Sequence, residues 1–260
     1  MRKAFPAPFL AEGQADTQPM SLIDLLLPEL EVAIAQSGPE RRSDIALSVL
    51  DAFVRGVHRF SDQEIAVFDD ILFRLAAEIE LAAREKLAVG LAPIPRAPLK
   101  IIQQLASDDE IRVAGPILSE SVRVDETVLA QTAKLKSQAH LVAVSRRRAL
   151  SETITDILVE RGNREVLLTV SKNLGARFSK LGYSRLVKRS EGDDMLATSV
   201  GLRSDLPPTL VVFLLTTASE AVCKKLMSER RYDEDTIREA IKAVTADGSG
   251  LVGSRSKTPS

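Results

Sequence analysis

The chain has 260 residues, of which 45% are hydrophobic, 27% charged and 4% aromatic, with one cysteine and no tryptophan; this globular composition excludes collagen, disulfide scaffolds and polar disordered chains. Lys+Arg 35 against Asp+Glu 36 leaves a formal charge of -1, so nothing global draws the molecule to nucleic acid or an anionic membrane, and electrostatic targeting has to be local. The lone Cys223 excludes an internal disulfide and a zinc site with several thiolates, and it points to a reducing compartment, with cytoplasm as the expected location.

In chain order, residues 1–19 carry Pro6, Pro8, Gly13 and Pro19 without periodicity and read as a tail. Met1-Arg2-Lys3 resembles the start of a signal peptide. However, Pro6, Pro8, Glu12 and Gly13 interrupt the apolar stretch of about 7 to 15 residues that secretion needs. Leu22, Ile23, Leu26, Leu30 and Ile34 form an apolar stripe, with Ser21 as N-cap, Pro28 as a kink and Ser37-Gly38-Pro39 as the stop. A second helix is expected from Ser43 to about Phe60. Ser61-Asp62-Gln63-Glu64 is a capping box, in which hydroxyl and carboxylate satisfy each other's orphan backbone N–H groups. It opens what reads as one long helix, about Asp62 to Leu91, ended by Pro93 and Pro95, and closes an N-terminal helical region over 20–97. The most apolar runs, Leu22 to Leu27 and Leu210 to Leu215, are far shorter than the roughly 20 residues that span a bilayer.

Beyond Pro98 the start signals recur: Pro98, Asp125, Ser151, Ser179 and Pro207 lie 27, 26, 28 and 28 residues apart. Each is followed by an apolar helix, a turn and a second helix. The turns are Ser107-Asp108-Asp109, Leu135-Lys136-Ser137, Arg161-Gly162-Asn163, Ser190-Glu191-Gly192 and Thr217-Ala218-Ser219. A helix pair this short cannot bury its own apolar face and has to stack on neighbours. The expected fold is therefore all-α, an α-solenoid of five repeats over 98–230, with N-terminal capping helices, a C-terminal helix over 231–246 and a tail over 247–260.

The stretch from Leu105-Ala106-Ser107-Asp108-Asp109-Glu110 to Ile111-Arg112-Val113-Ala114-Gly115-Pro116-Ile117-Leu118 resembles a HEAT-like unit, in which an Asp-containing turn leads to an apolar-Arg pair and then Ala. The later copies lack that turn. From about Ile45 to Met227 the chain also resembles a family of uncharacterised bacterial proteins built from degenerate HEAT-like repeats. The matching positions are Ala97-Pro98, Leu105-Ala106, Asp108, Val113-Ala114, Pro116, Leu118, Ser121, Ala143, Arg147, Leu150-Ser151 and Asn173. The resemblance implies the helical-repeat fold and carries no reaction and no ligand.

Chemistry-bearing patterns are scarce. Gly248-Ser249-Gly250-Leu251-Val252-Gly253 has the letters of a dinucleotide fingerprint, but no strand precedes it and too few residues follow to build a β-α-β unit. His58 and His140 are the only histidines and have no metal-ligand spacing. The acidic clusters Asp69-Asp70, Asp108-Asp109-Glu110, Asp193-Asp194 and Asp233-Glu234-Asp235 read mainly as helix caps. No catalytic residue, cofactor or metal site is therefore expected.

Charge counted by segment is informative. Residues 1–133 hold 13 Lys/Arg and 21 Asp/Glu, residues 134–189 hold 13 and 4, and residues 190–260 hold 9 and 11. The middle repeats are basic, most densely at Arg146, Arg147, Arg148, Lys172, Arg177, Lys180, Arg185, Lys188 and Arg189, which form the candidate partner-binding surface. Cations favour helix C-termini and so account for part of this set, but not for the near absence of acids. The expected function is a non-enzymatic protein-interaction module whose basic repeats select an acidic partner. Binding of a nucleic-acid backbone by the same residues is the alternative, although Phe178 and Tyr183 are the only aromatics there available for stacking. Self-association through the N-terminal helix is a further expectation.

Overall fold

A computed structural model of the chain describes residues 37–229. The N-terminal stripe from Leu22 to Ile34, the C-terminal helix expected over 231–246 and both tails lie outside the described residues.

Among the described residues the fold is all-α, with thirteen helices: α1 Pro39–Gly56, α2 Asp62–Ala76, α3 Leu81–Leu91, α4 Leu99–Ala106, α5 Ile111–Glu120, α6 Glu126–Leu135, α7 Gln138–Ser145, α8 Glu152–Arg161, α9 Arg164–Lys172, α10 Lys180–Arg189, α11 Asp194–Gly201, α12 Pro208–Thr217 and α13 Glu220–Ser228. Their starts follow local chemistry. α1 begins at Pro39, whose fixed φ and missing N–H suit a first helical position. The helix expected from Ser43 to Phe60 is thus shifted toward the N-terminus, and it stops at Gly56. Ser61 and Glu64 form the capping box, the Ser61 N–H donating to Glu64 Oε2 at 2.8 Å and the Glu64 N–H to Ser61 Oγ at 3.3 Å. Asp125, Ser151, Asn163, Ser179, Asp193 and Ser219 each accept from the backbone N–H three residues on. All five repeat starts, Pro98, Asp125, Ser151, Ser179 and Pro207, are N-cap residues.

The long helix expected from Asp62 to Leu91 is two helices. The chain turns at residues 77–80 without Gly or Pro. The break has a tertiary cause: Ile79 is buried, Glu78 pairs with Arg42 at 2.6 Å, and the Glu80 N–H donates to Ser43 Oγ at 3.4 Å, so the turn is held by α1. Folding back lets α3 pack on α1, which a straight helix of that length would carry away from the core.

Helices in substantial contact are one or two places apart in chain order. The odd helices α1 to α13 make one row and the even helices α2 to α12 the other, with a continuous apolar core between them from Ala46 and Phe53 to Leu226. The even row has its own polar links. Asp69, 6% exposed on α2, accepts from the Lys100 and Ile101 N–H groups at 2.8 Å, capping α4, whose N-cap Pro98 has no side chain to do so. Ser151 Oγ donates to Glu126, and Ser179 Oγ donates to Asp156 at 2.8 Å. Asp69→Ala would strand two N–H groups and should cost about 1–2 kcal/mol, the range for a lost cap. Urea unfolding measures it, and an unchanged midpoint would contradict the capping role.

Candidate functional site

Short connections alternate between two edges of the double row, and each edge carries a ladder of side chains bonded to carbonyls of the preceding connection or helix end at the same edge. At the first edge, where odd helices end, Arg96 reaches Val57 O at 3.3 Å, Arg123 reaches Ala97 O at 3.2 Å, and Arg147 reaches Leu118 O at 2.7 Å and Ser121 O at 2.9 Å. Asn173 Nδ2 donates to Ser145 O at 2.9 Å and Arg147 O at 2.7 Å. At the second edge Arg161 donates to Ala133 O, and Arg189 donates to Val159 O at 2.6 Å. These carbonyls end helices or follow them and have no partner within the helix, so the cations satisfy groups that would otherwise need water. Leu118, Ser121, Arg147 and Asn173, which carried the family resemblance, are joined in one such chain.

Arg203 completes the first ladder and is 5% exposed. Its guanidinium donates to Ser171 O at 3.2 Å, Asn173 O at 2.7 Å and Ala176 O at 2.8 Å, and Nε donates to Tyr183 Oη at 2.8 Å. The same group makes a two-pronged pair with Asp205 at 3.0 and 2.9 Å and lies 4.8 Å from the Phe178 ring centroid. Burial opposes ionisation of Asp205, but Arg203 and the Tyr183 hydroxyl outweigh it and hold its carboxyl below the usual range. Burial, and then the Asp205 carboxylate that accepts the hydroxyl proton, push Tyr183 up. The sign follows from linkage: a raised folded-state value leaves stability intact below the ordinary tyrosine value of about 10 and erodes it as pH rises further. Tyr183→Phe should therefore delete only the late part of the phenolate absorbance rise in an alkaline titration of the native protein. Deletion of a portion near pH ~10 would contradict the burial argument.

The nine basic residues singled out by sequence do not share one face. Arg146, Arg147, Arg148, Lys172, Arg177 and Lys180 lie at the first edge, and Arg185, Lys188 and Arg189 at the second, the length of α10 away, about 15 Å. Arg147 is half-buried on its two carbonyls, and burial pushes its guanidinium pKa down. Arg189 is bonded to the end of α8, and Arg185 pairs with Glu160 at 3.3 Å. Arg146, Arg148, Lys172, Arg177, Lys180, Lys188 and, despite its carbonyl bond, Arg189 are exposed. Loops 146–151 and 173–179 are drawn together by Leu150 N–H to Gly175 O at 3.1 Å and Arg177 N–H to Leu150 O at 3.0 Å, which sets the Arg148 backbone against Gly175.

Sequence reasoning passed over Arg203, Arg96 and Arg123 and read Arg161 only as part of the turn Arg161-Gly162-Asn163. The signal was the repeat spacing itself: Arg96 and Arg123 are 27 residues apart, and Arg161 and Arg189 are 28 apart. His140 is 2% exposed, with Nε2 3.1 Å from Asp108 O and Nδ1 2.8 Å from Ser137 Oγ. The carbonyl can only accept, so Nε2 donates to it, and the ring links α7 to the turn at Asp108. Among the described residues no three His, Cys, Asp or Glu side chains stand together as a metal-ion site needs, and no helix is long and apolar enough to cross a membrane.

Among the described residues a concavity of about 600 Å³ lies on the odd row, across α9, α11 and α13. Leu174, Met195, Leu202 and Val222 give it an apolar floor and wall, Lys172 and Lys225 stand at its rim, and Asp194 is its one acid. Leu174 is 88% and Met195 56% exposed. Lys172 also borders a second hollow of about 440 Å³ along α9, lined by Asn163, Arg164, Glu165, Leu168 and Thr169. Of the nine basic residues only Lys172 lines the larger groove; Arg203 closes its inner end. The arrangement suits an apolar side chain with a neighbouring carboxylate.

No curated protein and no solved structure matches the chain. A family model described as an uncharacterised protein conserved in bacteria (DUF2336) matches residues 113–258, more than half of the 260, and the chain belongs to that bacterial family.

Proposed function

We propose that the chain is a non-enzymatic protein-interaction module of the bacterial cytoplasm, an α-solenoid of HEAT-like helix pairs whose odd-row groove holds a segment of another protein. The observation that carries this reading is the groove itself: apolar, open, and rimmed by Lys172 and Lys225. Two features support the solenoid geometry. Substantial contacts run between helices close in chain order, and successive odd helices all pack on one another while α4 and α6 make no substantial contact, as expected when the odd row is the inner side of a curve. The lone Cys223, part-buried and bonded to Leu215 O, suits a reducing compartment.

The second reading is a phosphate backbone held at the first edge. Residues 127–151 and 166–190 contain no Asp or Glu, so Arg146, Arg148, Lys172, Arg177 and Lys180 make this part of the edge predominantly basic, with Glu152 and Asp205 the exposed acids near it. Affinity capture of the full chain with and without nuclease, alongside Met195→Glu and Arg146→Glu/Arg148→Glu variants, separates the two. A protein retained after nuclease and lost with Met195→Glu supports the groove. Material lost on nuclease treatment and with the arginine variant supports nucleic acid, and a bound protein indifferent to Met195→Glu overturns the groove reading.

A further inference from the structure

We infer that the groove across α9, α11 and α13 receives the segment around residues 20–36 of a second copy of this chain, joining copies head to tail. The inference rests on the groove being a protein-binding site, as proposed above, and it names the occupant.

The first reason is charge complementarity within one sequence. Residues 4–40 contain no Lys or Arg, and Asp24, Glu29 and Glu31 fall among the leucines of the N-terminal stripe. The groove has the opposite character, with Lys172 and Lys225 at its rim against a single acid, Asp194, and Lys172 lies at the same edge as the exposed Arg146, Arg148 and Arg177. The second reason is apolar pattern. Leu22, Ile23, Leu26, Leu30 and Ile34 recur at helical spacing and make a stripe suited to a hydrophobic groove. Leu174, Met195, Leu202 and Val222 offer such a surface.

The third reason is reach, which selects a second copy over the same one. Only residues 36–38 separate Ala35 from Pro39, where α1 begins, so Ala35 stays within about 14 Å of α1. The groove starts at α9, four odd-row steps from α1, or about 32–40 Å at ordinary helix spacing. A helix laid lengthwise in that groove cannot start beside α1 of its own chain. Because the donated segment and the receiving groove are different surfaces, the contact is heterologous, and each copy retains one unused segment or groove until a ring closes.

Sedimentation velocity of the full chain over a wide concentration range tests this, with Leu26→Glu/Leu30→Glu as the segment variant and Met195→Glu/Lys225→Glu as the groove variant. Met195 and Lys225 are exposed, so the groove variant leaves the core untouched. The expected result is a mass that grows with concentration, at least a tenfold weaker association in each variant, and restored dimer in an equimolar mixture, where one variant supplies the groove and the other the segment. A chain that stays monomeric throughout, or a groove variant that associates like the parent, overturns the inference. So does a segment variant that loses thermal stability with no change in mass, because the stripe then covers its own α1 and α2. A monomeric parent whose Met195→Glu variant still loses a captured protein overturns the second-copy occupant and leaves the proposed function standing.

Discussion

Arg203→Met should lower the unfolding free energy by roughly 2–4 kcal/mol, the cost of leaving two buried carbonyls without their donor. The side chain is almost fully enclosed and serves three carbonyls, the Tyr183 hydroxyl and Asp205 at once. Removing it strands Ser171 O and Ala176 O and leaves Asn173 O with only the Ala176 N–H at 3.2 Å. It also leaves Asp205 a half-buried anion without its partner. Methionine fills much of the volume against Phe178, so the loss reports polar satisfaction more than a cavity. Arg203→Lys should recover only part of it, because an ammonium cannot present the planar fork that meets Asp205 with two parallel bonds. Urea unfolding followed by circular dichroism gives both values, and a loss below about 1 kcal/mol for Arg203→Met would show that water replaces the guanidinium. The damage should extend to function, since Arg203 lines the groove and its loop positions Leu174.

Gly175→Ala is expected to be nearly as damaging for a different reason. A Cβ there would stand 1.9 Å from Arg148 O and 2.9 Å from Arg148 C, both backbone atoms that cannot move aside as a side chain would. The close approach is produced by the pairing of loop 173–179 with loop 146–151, through Leu150 N–H to Gly175 O and Arg177 N–H to Leu150 O. Asn173 Oδ1 accepts the Gly175 N–H at 2.9 Å and sets the bend from inside the loop. Relief requires separating the loops and losing both bonds, so a cost of about 3 kcal/mol, the upper part of the overpacking range, is expected. Gly115→Ala supplies the contrast. It lies within α5, where the new Cβ meets only Ile111 side-chain atoms at 3.5 and 3.9 Å, and the gain in helix propensity should stabilise by about 0.5–1 kcal/mol. Thermal melts of the two variants should therefore shift in opposite directions, and two shifts of the same sign would refute the loop-contact argument.

The local half of this protein was legible because its signals are short-range. Pro98, Asp125, Ser151, Ser179 and Pro207 were readable as helix starts, and all five are N-caps, since capping depends on atoms only three residues apart. The Ser61–Glu64 box and the turn at each later repeat were legible for the same reason. The turn at 77–80 was not, because no local breaker marks it and Ile79, Glu78 and Glu80 are held from α1, more than thirty residues earlier. Charge followed the same division. That the middle repeats are basic is a property of composition. That Arg147 and Arg189 spend their donors on carbonyls, that Arg185, Lys188 and Arg189 stand on the opposite edge from the other six, and that Lys172 meets Leu174 and Met195 at one groove are products of stacking. The amino-acid sequence by itself determined where the capped helices from Leu99 onward begin and where the turns between them fall, because those depend on backbone groups within one helical turn. Only the tertiary structure decided which cations face solvent and where an apolar hollow opens, because both depend on the register between helices that are a full repeat apart.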